Sequence, residues 1–252
     1  MNIQLVRNAT LLITYANKRI LVDPFFAQKE TMPAFPNTPH QHQANPIVDL
    51  PVSVEALVDA DAVLVTHLHP DHFDEAAHNA LPKQIPIYAQ NEEDVIAIKE
   101  KGFGNVYSLE YITKISDIYV SITAGQHGHG EITKMTGTVS GFVFAHPQEP
   151  TLYVAGDTVW CEDVSHNIHT YHPDVVVVNA GAAQFLEGGP ITMTKEDVGA
   201  VYQAAPNRSI VVTHMESLNH CLLSRDELKQ YLSTHNMEDR TFVPDDGDVL
   251  PF

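Results

Sequence analysis

The sequence predicts an α/β fold in which strands and helices alternate along one chain, and three observations carry that prediction. Short apolar runs such as Ala62-Val63-Leu64-Val65 end abruptly at polar residues and read as buried strands. Between them fall segments with helix start and stop signals, such as residues 91–101, which open on Asn91 and stop at Gly102. The length, 252 residues, suits one large unit that buries a sizeable core, so residues 1–252 are read as a single domain.

In chain order, residues 3–6, 10–15 and 19–22 read as three short strands, with Ala16-Asn17-Lys18 as a hairpin connection. The third strand ends at Asp23-Pro24. Residues 26–51 hold Pro33, Pro36, Pro39, Pro46 and Pro51 and few apolar positions, which predicts a long irregular excursion serving as a lid or pocket wall. A short helix near 54–58 precedes the strand at 62–65. Further strands are expected at 118–123, 139–145, 151–155, 174–178 and 208–212. Thr194 caps a helix to Ala204 with Asp197 as its capping-box partner, and Ser224 opens another to about Thr234. A terminal hairpin-like segment is expected around Asp246-Gly247.

Hydrophobic residues make up 44% of the chain, a globular composition. The 14 Lys and Arg against 32 Asp and Glu give a formal charge of -18, which repels polyanions and argues against nucleic acid and anionic membranes as partners. Bound cations would reverse that sign locally, so a small-molecule substrate remains the expected partner, with self-association as a further expectation. Residues 1–12 are interrupted by Asn2, Gln4, Arg7 and Asn8 and lack the apolar core of a secretory signal. A chain of this size needs no disulfide between Cys161 and Cys221, and a cytoplasmic location follows as the default.

His67, His69, Asp71 and His72 place four metal-ligand side chains within six residues, directly after the strand at 62–65. A turn there folds them toward a common centre, and imidazole nitrogen with carboxylate oxygen suits zinc, manganese, iron or cobalt. A single histidine would read as a polar surface residue; three with an aspartate at this density do not.

This run, His-x-His-x-Asp-His after a buried strand and preceded by Thr66, resembles the metallo-β-lactamase-fold hydrolases. The likeness extends in chain order through Asp23 in Leu21-Val22-Asp23-Pro24, then His127, Asp157 and His214. It implies a four-layer αββα sandwich, two mixed β-sheets flanked by helices. It also implies two divalent metal ions, zinc or manganese, as cofactors: His67, His69 and His127 for the first, Asp71, His72 and His214 for the second. Asp157 would bridge them, with one carboxylate oxygen for each cation. The activity implied is metal-assisted hydrolysis, with Asp71 orienting the attacking hydroxide. Aspartate at 157, where true metallo-β-lactamases commonly use cysteine, points away from antibiotic hydrolysis. The Asp23 and Gly156-Asp157-Thr158 motifs look closest to the ascorbate-6-phosphate-lactonase-like group. A small anionic ester or lactone is the substrate this implies; a small phosphodiester, or a metal-binding regulatory protein without turnover, are the alternatives.

Other residues keep more than one reading. His129, two residues after His127, is the alternative ligand in its segment, and Asp23 supports a ligand or merely ends a strand. His220 is a catalytic candidate that binds substrate or donates a proton. His166, His169 and His172 recur at three-residue intervals and read as an exposed helical stripe, while His40 and His42 read as surface residues. Trp160 shapes the pocket or simply packs.

Overall fold

The structure, a computed structural model, describes residues 1–109 and 112–252. In chain order it runs β1 (Asn2–Arg7), β2 (Thr10–Tyr15), β3 (Lys18–Val22), α1 (Val54–Leu57), β4 (Ala62–Val65), α2 (Glu75–Ala80), β5 (Ile87–Ala89), α3 (Glu92–Glu100) and β6 (Val106–Ser108). It continues with β7 (Ile112–Ile115), β8 (Ile118–Ala124), α4 (Thr133–Thr136), β9 (Ser140–Ala145), β10 (Leu152–Val154), α5 (Glu162–Tyr171), β11 (Val175–Asn179) and α6 (Lys195–Ala204). The last elements are β12 (Ser209–Thr213), α7 (Arg225–Thr234), β13 (Thr241–Phe242) and β14 (Val249–Pro251).

Two seven-stranded mixed sheets result, in the orders β14-β1-β2-β3-β4-β5-β6 and β13-β12-β11-β10-β9-β8-β7. Each is antiparallel at one end and parallel at the other, the change falling at β3 in the first sheet and β10 in the second.

The continuous apolar strands follow from burial on both faces. Along β4, Ala62 and Leu64 pack between the sheets, while Val63 and Val65 face outward toward Leu57, Ala77, Val95 and Ile98 of α1, α2 and α3. Along β11, Val175 and Val177 point inward, and Val176 and Val178 meet Val164 of α5, Val198 of α6 and Leu228 of α7. The αββα layering is therefore present, and its central layer joins Ile3, Ile13 and Val22 to Phe142, Phe144 and Val211.

The caps are where the sequence puts them: the Asn91 side chain accepts from Asp94 N at 2.8 Å, Thr194 and Asp197 cap α6 reciprocally, and Ser224 accepts from Glu227 N. Two local expectations change. The first hairpin turns on Ala16 and Asn17 alone, both at positive φ, and Lys18 already belongs to β3. The segment around Asp246-Gly247 is not a hairpin, because β13 pairs with β12 in the second sheet and β14 with β1 in the first. The free edge of β1 draws the chain across, with Gly247 N donating to Leu5 O at 2.7 Å and Leu5 N to Asp248 O at 3.0 Å.

The Pro-rich stretch between β3 and α1 is irregular, apart from a single bridge between Met32 and Asn45. It is pinned from below by the buried Arg7 guanidinium, which donates to the carbonyls of Phe25, Ala27 and Val48. Among the described residues no helix is long and apolar enough to cross a membrane.

Candidate metal centre

The site is assembled from strand ends on one rim of the two sheets. Asp23 follows β3, Thr66 and His67 follow β4, His127 lies just past β8, Asp157 past β10 and His214 directly after β12. Tight backbone geometry aims them: Gly156 sits at φ 71°, where a side chain would run into the Ser140 carbonyl, so only glycine delivers Asp157. Asp23 and His214 themselves adopt positive φ, a strained conformation for residues with side chains that recurs at functional sites.

Two groups of ligand-type atoms form. His67, His69 and His127 make one, and Asp71, His72, Asp157 and His214 the other, with the atoms of each group within 4.8 Å of one another. Asp157 Oδ2 touches both, lying 3.6 Å from His127 Nε2, 3.2 Å from His72 Nε2 and 3.6 Å from His214 Nε2. The other oxygen, Oδ1, accepts from Asn179 Nδ2 at 2.7 Å, which fixes the carboxylate's orientation between the two groups. His127 is buried within the first group, whereas His129 is exposed.

Whether these residues fit metal ions is answered by their nitrogens. Nε2 of both His67 and His72 is buried without a hydrogen-bond partner. His72 Nε2 is near two carboxylates but not in hydrogen-bond geometry with either; the atoms lie side by side, as co-ligands of a cation do. The opposite ring nitrogens are engaged. His127 Nδ1 donates to Ile191 O at 2.8 Å, His72 Nδ1 to Asp23 Oδ2 at 2.8 Å, and His214 Nδ1 lies 3.5 Å from Cys221 Sγ. Holding Nδ1 fixes the tautomer that leaves Nε2 free for a metal. Asp23 also accepts from Thr66 N and Thr66 Oγ1, both at 2.7 Å, so it does more than end a strand.

The buried charges of the site offset one another. Burial and the neighbouring histidines hold His67 well below its ordinary pKa, keeping it neutral. Burial works against a charged His72, but Asp157, Asp23 and Asp71 outweigh it and lift the imidazole to about 10. Burial likewise opposes a charged His214, and Asp157 and Asp71 overcome it. Both aspartates stay ionised despite burial, held well below the carboxylate range by His72 and His214.

His220 is buried beside this centre, within electrostatic reach of Asp71, His214, Asp157 and His127, and burial pushes its pKa down to about 4. His166, His169 and His172 lie exposed on and after α5 and join no metal-type group among the described residues. His42 is exposed, and His40, also exposed, spends Nδ1 on the Asn219 carbonyl at 3.1 Å. Trp160 packs on the core under α5 and α6. Three asparagines escaped the sequence reading. Asn179 grips Asp157; Asn8 donates to Asp71 O at 3.1 Å and accepts His214 N through its carbonyl at 2.9 Å; Asn219 ties down the Pro-rich stretch. Asn179 had a signal, being the polar end of an apolar strand like the ligands themselves.

A family model for the beta-lactamase superfamily domain matches residues 18–215. The UPF0173 protein YddR of Bacillus subtilis (strain 168) is 46% identical over 254 residues, covering 100% of both chains. An isothiocyanate hydrolase from Delia radicum gut bacteria superposes with a TM-score of 0.96 at 41% identity, over 100% of this chain and 99% of that one. A protein of Veillonella parvula DSM 2008, described as a possible metal-dependent hydrolase, superposes with a TM-score of 0.97 at 35% identity, over 99% of this chain and 98% of its own. With these full-length likenesses and the buried histidine and aspartate clusters, the chain belongs to the UPF0173 metal-dependent hydrolases of the beta-lactamase superfamily.

Proposed function

We propose that this hydrolase adds water to an electrophilic carbon of a small uncharged molecule, with an isothiocyanate as the first substrate class. The observation that carries the reading is the position of Asp157 Oδ2 within 3.6 Å of nitrogens from both groups, beside the unpartnered Nε2 atoms of His67 and His72. His67, His69 and His127 would hold one divalent cation and Asp71, His72 and His214 the other, with Asp157 shared; zinc and manganese suit this donor set. Such a pair supplies water of lowered pKa and electrophilic stabilisation of a developing anion.

The chain's own groups complete the site. Asp71, kept ionised and fixed by Asn8, serves to orient the attacking water. His220, neutral because of its burial, serves as a hydrogen-bond donor toward the substrate, not as a cationic acid. The isothiocyanate hydrolase at 41% identity over the full chain supports a small uncharged electrophile as the substrate class.

A small anionic ester or lactone is the second reading, supported by the Asp23 and Gly156-Asp157-Thr158 motifs that resemble the lactonase-like group. The test is metal analysis of protein purified without chelator, followed by turnover of isothiocyanates, lactones, esters and phosphodiesters with zinc and with manganese. Two metals and release of amine from isothiocyanates support the first reading. Turnover of lactones alone transfers support to the second, and two metals without turnover of any class sinks both.

A further inference from the structure

Asn219 is buried, and its side chain spends every hydrogen-bonding position on the Pro-rich stretch. Its Oδ1 accepts from Phe35 N at 3.2 Å and Asn45 Nδ2 at 2.8 Å; its Nδ2 donates to Thr38 Oγ1 at 2.8 Å and Pro39 O at 2.6 Å. Its backbone N donates to Asn45 Oδ1 at 2.8 Å. One amide thus holds residues 35, 38, 39 and 45 to the loop that follows β12.

The next residue is His220. Its ring stands edge-on to Phe35, with centroids 4.8 Å apart, and its backbone carbonyl accepts from Gln184 N at 3.2 Å, which anchors the chain that carries the ring. Although only 7% of the residue is exposed, Nδ1 has no hydrogen-bond partner. A buried ring nitrogen left open is costly, and it persists where something outside the protein completes it. The chain neighbour Cys221 places Sγ 3.5 Å from His214 Nδ1, so His220 sits in the loop that borders the second ligand group.

We propose that Asn219 is a positioning residue: by holding Phe35 against the imidazole it fixes His220 in the orientation that lets Nδ1–H donate to the substrate heteroatom gaining charge as water adds. This rests on the hydrolase reading above. It assigns the Pro-rich stretch a defined task, which is to present Phe35, and it makes the polar acceptor of the substrate, sulfur, nitrogen or oxygen, the group that His220 recognises.

The test is a pair of double-mutant cycles on the metal-loaded enzyme with methyl isothiocyanate and phenyl acetate as probes, combined with imidazole ¹⁵N shifts. Phe35→Leu and Asn219→Ala are each made alone and with His220→Ala, and metal content is measured throughout. The expected result is a fall in kcat of at least about 10-fold for each variant in the parent, shrinking below about 2-fold when His220 is alanine, with metal content unchanged. Equal losses in both backgrounds would overturn the proposal and leave Asn219 a structural staple. Where Asn219→Ala fails to fold, the Phe35→Leu cycle, which keeps the amide intact, decides. The ¹⁵N resonances read positioning without turnover: a single narrow ring environment in the parent that broadens by exchange in Phe35→Leu supports it, and broadening already present in the parent overturns it. A parent that is inactive on both probes yet shows the single narrow ring environment contradicts the substrate reading while leaving the positioning supported.

Discussion

Asp23 Oδ2 accepts from His72 Nδ1 at 2.8 Å, joining the end of β3 to a ligand that follows the neighbouring strand β4. The same carboxylate anchors Thr66 through backbone and hydroxyl, so one buried group orients the whole entry to the histidine run. Replacing it with an amide keeps the shape and removes the charge that steadies His72.

Asp23→Asn is therefore expected to weaken metal affinity by roughly 10 to 100-fold without unfolding the chain, in line with loss of a hydrogen-bonded support to a ligand. Competition against a chelating dye measures it. Unchanged affinity would reduce Asp23 to the turn that ends β3.

Metal uptake is expected to release protons. In the metal-free protein His72 is raised to about 10 and His214 is also raised, both by facing aspartates, so each imidazole is charged at pH 7 and must lose its proton to coordinate. A pH indicator in weak buffer should report one proton from each as zinc is added; no release would contradict the charge assignment. The stability consequence has a definite sign. His72 titrates above its ordinary 6.5, so its contribution to the metal-free fold is complete below about 6.5 and lost as pH rises through about 10. The melting temperature of chelated protein should fall across that window, and metal should remove the fall.

His127 and His129 separate cleanly. His127→Ala is expected to lower the occupancy of the first metal position and reduce turnover at least about 100-fold, more than a supporting residue would. His129→Ala, an exposed change, should leave both within about twofold. The reverse ranking, measured by metal analysis and kcat, would exchange the two assignments.

This pair also marks what a sequence can convey. The ligands were legible because each ends an apolar strand or follows one closely, and strand ends are local features: Val65 precedes Thr66-His67, Val154 comes shortly before Asp157, and Thr213 precedes His214. The groups that hold them were not. Asn219 reaches Thr38 and Asn45 across more than 170 positions, Asn8 reaches Asp71 and His214, and His127 donates to a backbone carbonyl at Ile191; no local pattern encodes such partners. The turn at Asp246-Gly247 misled for the same reason, since its composition is that of a hairpin while its strands pair with edges far away in sequence.

Replacing residues 32–45 by a short Gly-Ser linker should leave two metals bound and lower kcat by at least about 10-fold, because the ligands do not lie in that stretch while Phe35, which packs on the His220 ring, does. Unchanged kinetics would make the stretch a surface insertion. Loss of metal would show that it supports the centre itself.

The central claim is that the Asp157 carboxylate would be shared by two cations, and Asp157→Asn tests it most directly. The amide keeps the contact with Asn179 on one side but offers a neutral, poorer ligand where Oδ2 now faces His72, His127 and His214, so the mutual repulsion of two cations is no longer offset. Metal content of the purified variant, measured by elemental analysis, should fall from about two per chain toward one, with turnover falling alongside. Two tightly held metals and near-parental turnover in Asp157→Asn would contradict a centre that shares Asp157.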